Sequence, residues 1–142
     1  MENLTPLGID RPFTKMALVI EDNSDTCELL SFHLRHAGYY PLVFTNAEHV
    51  LTLLRSLVME IIILDLMLPA MNGVEFVREI ERRKRRHAPL LVISAHQDGY
   101  RRAQEIHAEG YMQKPFVFSK LIELVDSLVK AHAAQQRYEQ TL

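Results

Sequence analysis

The chain has 142 residues, 48% of them hydrophobic, which fits one globular domain able to bury a core. Sixteen basic against eighteen acidic residues leave a formal net charge of -2, so no global attraction to nucleic acid or to an anionic membrane surface is expected. Cys27 is the only cysteine, which excludes a disulfide-stapled fold, and neither a signal peptide nor an apolar run approaching ~18 residues is visible, so a soluble protein of a reducing cytoplasm is expected.

Residues 1–14 carry Pro6, Gly8 and Pro12 without periodicity and read as a flexible leader. The run Met16-Ala17-Leu18-Val19-Ile20 predicts a strand that stops at Glu21-Asp22. Asn23-Ser24-Asp25 offers capping side chains for a helix in which Leu29, Leu30, Phe32 and Leu34 recur at helical spacing until Gly38. A short strand over Tyr40 to Phe44 precedes Thr45-Asn46-Ala47-Glu48, read as a capping box between Thr45 and Glu48 for a helix with Val50, Leu51, Leu53, Leu54 and Leu57 on its apolar side.

Ile61-Ile62-Ile63-Leu64 reads as a strand covered on both faces, because a strand with one wet face would alternate polar and apolar residues. It ends in the carboxylate of Asp65. After a loop through Pro69, Asn72 and Gly73, a third helix is expected from Val74 to about Arg86, with Phe76, Val77 and Ile80 as its buried stripe. The run Arg82 to Arg86 at its end complements the helix dipole and is read as a solvated face rather than a nucleic-acid contact. Leu90-Leu91-Val92-Ile93 stops at Ser94. A fourth helix, Tyr100 to Ala108, has few apolar residues and should be the least firmly packed. The last strand centres on Tyr111 and Met112 and stops at Lys114-Pro115, and Leu121, Ile122, Leu124, Val125, Leu128 and Val129 mark a fifth helix from Ser119. Residues 15–131 thus form the domain, and 132–142 either prolong the last helix or fray.

Five strands alternating with five helices imply an α/β, doubly wound parallel sheet, for which the flavodoxin-like order 2-1-3-4-5 is the natural choice. Parallel strands gather their C-terminal residues along one edge, where ligand sites of such sheets form. Glu21, Asp22, Asp65, Ser94 and Lys114 should therefore meet. Three crowded carboxylates call for a cation, and Mg2+, which takes oxygen ligands and keeps open positions for phosphate oxygens, suits them. A carboxylate nucleophile with a metal, an ammonium and a hydroxyl in reach has the parts needed to form an aspartyl phosphate.

Glu21-Asp22, Asp65 with Leu66-Met67-Leu68-Pro69 and Asn72-Gly73, Ser94-Ala95, and Tyr111-Met112-Gln113-Lys114-Pro115-Phe116 resemble, in this order, the motifs of the receiver domain of two-component response regulators, over about Lys15 to Ala131. The resemblance implies that Asp65 is the phosphoacceptor, that Glu21 and Asp22 hold Mg2+ together with Asp65 and the backbone carbonyl of Met67, and that Lys114 pairs with the phosphoryl group. It further implies that Ser94 and Tyr111 are the switch pair, that Met67 and His96 influence phosphate lifetime, and that the face of the fourth helix, fifth strand and fifth helix carries the signal. The phosphoryl source is then a histidine kinase or a histidine phosphotransfer protein. The activity is limited to Mg-dependent self-phosphorylation and slow self-dephosphorylation.

The residues after the fifth helix are too few for a DNA-binding unit, so the expected output is contact with an unidentified downstream protein; the same face permits a homodimer. Glu21 replaces the commoner Asp of the acidic pair. His107 stands where a glycine often ends the fourth helix, and Gly110 is expected to supply that turn. A haloacid-dehalogenase-type phosphatase would want a second acid at position 67, where Met67 offers none. A pseudo-receiver binding partners without phosphate would not need the acid, hydroxyl and lysine set.

Overall fold

The computed structural model describes residues 15–53, 58–68, 72–82 and 88–141. Five parallel strands, β1 (Met16–Ile20), β2 (Tyr40–Phe44), β3 (Ile61–Asp65), β4 (Leu90–Ser94) and β5 (Gly110–Gln113), pair in the order β2-β1-β3-β4-β5. The helices are α1 (Ser24–His36), α2 (Ala47–Leu53), α3 (Gly73–Arg82), α4 (Gly99–Glu105) and α5 (Phe118–Thr141). The expected architecture and strand order are those observed. Among the described residues no helix is long and apolar enough to cross a membrane.

The two-residue period of the strands divides the core in two. Leu18, Ile20, Ile62, Leu64, Leu90 and Val92 meet α2, α3 and α4 through Val50, Phe76, Ile80 and Ala103. Ala17, Val19, Ile61, Ile63, Leu91 and Ile93 meet α1 and α5 through Leu30, Leu34, Leu121 and Val125. With apolar residues on both faces, the central strands have no wet side, which is why their sequence does not alternate.

Local chemistry sets the ends of the helices. The Asn23 side chain accepts the Thr26 N–H (2.9 Å) to open α1. Gly38, at φ +93°, closes it, with Tyr39 N–H donating to the Leu34 carbonyl and Gly38 N–H to that of Arg35. Several caps and helix ends differ from expectation. The side chain that opens α2 is Asn46, whose Oδ1 accepts the Glu48 N–H at 2.8 Å, and the helix begins at Ala47 rather than after Thr45. The fourth helix ends at Glu105, short of Ala108, and His107 itself takes φ +57°, its N–H bonding the Gln104 carbonyl while that of Ala108 reaches Ala103.

Histidine is among the side chains that tolerate this region, so no glycine is needed. Gly110 instead lies within β5, where an added Cβ would stand 2.7 Å from Leu128 Cδ1: it is small to let α5 approach. α5 begins one residue earlier than expected and runs to Thr141. The leader 1–14, Leu54 and Leu57 of the second helix, Pro69 and the basic run beyond Arg82 lie outside the described residues, as does Leu142.

Candidate functional site

The strand ends place the polar groups. Glu21 follows β1, its N–H bonded to the Phe44 carbonyl at 3.0 Å, and its side chain is wholly buried. Glu21 Oε2 accepts the N–H groups of Asp22 (3.0 Å) and Asn23 (3.3 Å), so the turn into α1 wraps around this carboxylate. Asp22 is exposed, whereas Asp65 at the end of β3 is 5% exposed. Carboxylate oxygens of Glu21, Asp22 and Asp65 lie within 4.8 Å of one another, as β1 and β3 being neighbours requires.

Lys114, just past β5, reaches across β4 to this group. Its Nζ donates to Asp65 Oδ2 at 3.0 Å and also to Glu21 Oε1. Met67 N–H donates to Asp65 Oδ1 at 3.0 Å, so each oxygen of Asp65 has a donor and the carboxylate is held in one orientation. The lysine is anchored by its own N–H to the Ser94 carbonyl (2.9 Å), and the Lys114–Pro115 peptide is cis.

Burial of Glu21, reinforced by the nearby Asp65, pushes its carboxyl up to about 7 even though Lys114 opposes the shift. Burial alone would lower the Lys114 ammonium, but hydrogen bonds to Glu21 and Asp65 and their charges outweigh it and hold it above its ordinary range. Three acids against one lysine leave a local excess of negative charge. The oxygen-only donor set and the spacing fit a hard divalent cation.

Sequence reasoning placed Glu21, Asp22, Asp65 and Lys114 together, and they meet. Ser94 is fully buried beside them at the end of β4, with its Oγ accepting the His96 N–H at 3.0 Å rather than contacting Asp65 or Lys114. Tyr111 stands on the α4 side of Ser94, half-buried, its ring edge-to-face with Tyr100 at 5.8 Å between centroids. The Met67 side chain is exposed and touches the Arg102 guanidinium at 4.0 Å.

Two features had no sequence signal. Glu21 is the counter-ion of Lys114 as well as a member of the acid group, a pairing between residues 93 positions apart. Cys27 Sγ donates to the Glu21 carbonyl at 3.2 Å, and burial, with the charges of Glu21 and Asp22, pushes the thiol up to about 11. A shallow hollow of about 320 Å³ opens beside Lys114 between Thr26, Leu29, Phe116 and Phe118.

The family model described as response regulator receiver domain matches residues 17–126. The chain is 30% identical over 139 residues to the transcriptional regulatory protein BaeR of Escherichia coli, covering 96% of this chain and 57% of that protein. It is 30% identical over 115 residues to the response regulator ArlR of Staphylococcus aureus, covering 80% and 52%. The chain thus spans about half the length of the curated relatives it matches. In fold it is similar to a CheY-like receiver domain protein of Methanospirillum hungatei, with a TM-score of 0.76 at 17% identity over 85% of this chain and 98% of that one. NtrX of Brucella abortus gives 0.80 at 20% identity over 89% and 30%.

Proposed function

The chain belongs to the response regulator receiver family of two-component systems, and from that premise we propose that Asp65 is its phosphoacceptor, charged by a histidine kinase or a histidine phosphotransfer protein. The observation that carries this reading is the convergence of Glu21, Asp22 and Asp65 within 4.8 Å, with Lys114 Nζ 3.0 Å from the Asp65 carboxylate.

Asp65, held by Met67 N–H and Lys114, attacks the phosphorus of a phosphohistidine. A new P–O bond forms as the P–N bond breaks, and the electron pair leaves with the imidazole nitrogen, which then takes a proton. Glu21, Asp22, Asp65 and the Met67 carbonyl would hold Mg2+, which when bound offsets charge on the phosphoryl oxygens. Lys114, kept cationic by its two carboxylate partners, remains to pair with the phosphoryl group. The Ser94 hydroxyl turns from its local bond to donate to a phosphoryl oxygen, and Tyr111 follows the space it leaves.

The output is contact of the α4, β5 and α5 face with a downstream protein or with a second copy of the chain, in the cytoplasm, with no chemistry on other substrates. Residues 15–131 act as the receiver and 132–141 as a prolongation of its last helix. Incubation with Mg2+ and acetyl phosphate, followed by intact mass, tests the reading. A phosphate-sized gain that is absent in Asp65→Ala is expected. A folded wild-type protein that gains nothing, and whose partner binding ignores Asp65→Ala, would overturn it in favour of a phosphate-independent interaction module.

A further inference from the structure

The first turn of α4 contains a steric feature that the phosphoacceptor chemistry does not explain. A Cβ built on Gly99 would stand 2.4 Å from the Tyr111 hydroxyl oxygen, 3.0 Å from Tyr111 Cε1 and 3.1 Å from Ser94 Cβ. Tyr111 therefore occupies the space that any other residue at position 99 would fill, and Ser94 borders the same space. Tyr100, largely exposed, lies edge-to-face on Tyr111, and Gln104 Nε2 donates to its hydroxyl at 3.3 Å.

We propose that Gly99 is a positioning residue: its missing side chain forms the seat that holds the Tyr111 hydroxyl against the start of α4 and next to Ser94. The backbone ties this seat to Ser94 by a short chain of bonds. Ser94 Oγ accepts the His96 N–H (3.0 Å), and the His96 carbonyl accepts the Gly99 N–H (3.1 Å). His96 Nδ1 also accepts the Asp98 N–H at 2.9 Å, so local hydrogen bonds link Ser94 through His96 to Asp98 and Gly99. When Ser94 turns away, the bond at His96 breaks, the loop loses its first anchor and Gly99 shifts under Tyr111. This consequence rests on the reading of Ser94 and Tyr111 as the switch pair, whereas the seat stands on geometry alone.

The test compares Gly99→Ala in the wild-type and Tyr111→Ala backgrounds. Wild type is expected to give nuclear Overhauser cross-peaks from the Tyr111 ring to Gly99 Hα and Ser94 Hβ, and Gly99→Ala to lose the Ser94 peak. Gly99→Ala should lower the folding equilibrium constant about tenfold with Tyr111 present and far less without it, because overpacking of this kind needs the ring to clash with. Should Gly99→Ala not fold, recovery of folding by the added Tyr111→Ala is the same result, and failure of the double variant contradicts the seat. An unchanged Ser94 cross-peak, or an equal cost in both backgrounds, overturns the proposal. Gly99→Ala should still take up phosphate from acetyl phosphate within about twofold of wild type, while its amide shifts over residues 100–113 on adding Mg2+ and beryllofluoride shrink. Wild type that takes up no phosphate would count against Asp65, and wild type that lacks the cross-peaks would count against Gly99.

Discussion

α4 and α5, the two helices packed against β5, are held to the same sheet in different ways. α5 buries Leu121, Val125 and Val129, and its Asp126 accepts a 2.7 Å hydrogen bond from the buried Tyr39 hydroxyl, with a His33–Phe118 ring stack joining its start to α1. α4 has seven residues, of which only Gly99 and Ala103 are buried, its Asp98 side chain makes no capping bond, and the chain leaves it through His107 in the left-handed region. A side chain that is buried and hydrogen-bonded resists displacement, whereas an element with few apolar contacts opens at low cost. The α5 side is therefore the more firmly held, and the α4 side the one that opens at lower cost.

Breaking the α5 side should cost most. Leu121→Ala removes a fully buried side chain and is expected to destabilise the protein by about 3 kcal/mol in urea unfolding, through lost burial and the cavity left behind. Tyr39→Phe, which leaves Asp126 without its donor, should cost about 1–2 kcal/mol in the same assay. The acid group between the two sides adds a pH dependence. Because the native state raises the Glu21 carboxyl from 4.5 to about 7, it holds a proton that the unfolded chain releases.

That contribution is complete below the unfolded value and is lost as pH rises through the native one. Metal-free protein should lose about 1–3 kcal/mol between about pH 4.5 and pH 7.5, and Glu21→Gln should flatten the slope. The smallest effect is expected on α4: Arg101→Ala removes exposed pairs with Asp98 and Glu105 and should change stability by less than about 0.5 kcal/mol.

The same contrast decides what could be read from the chain. Ile61 to Leu64 and Leu90 to Ile93 announce doubly covered strands, and the order of strand ends then brings Glu21, Asp22, Asp65 and Lys114 together without any side-chain geometry. α4 ends before the sequence pattern predicts because its stop uses His107 rather than glycine, and a seven-residue helix is too short for periodicity to set the boundary. Thr45 fits the capping-box pattern, yet Asn46 makes the bond, since either side chain can satisfy the same backbone donors and only the turn decides. The Glu21–Lys114 pair and the Gly99 seat are contacts between distant positions, which no local pattern records.

The central claim is that phosphorylation at Asp65 moves the α4 side against a fixed α5 side. Amide chemical shifts of the wild type and Asp65→Ala, recorded with Mg2+ before and after adding beryllofluoride, measure this directly. Large wild-type shifts confined to the residues around Asp65 and to 94–113, with residues 24–36 and 118–129 little changed and the variant silent, are the predicted result. Shifts spread equally over α1 and α5, or the same response in Asp65→Ala, would contradict it.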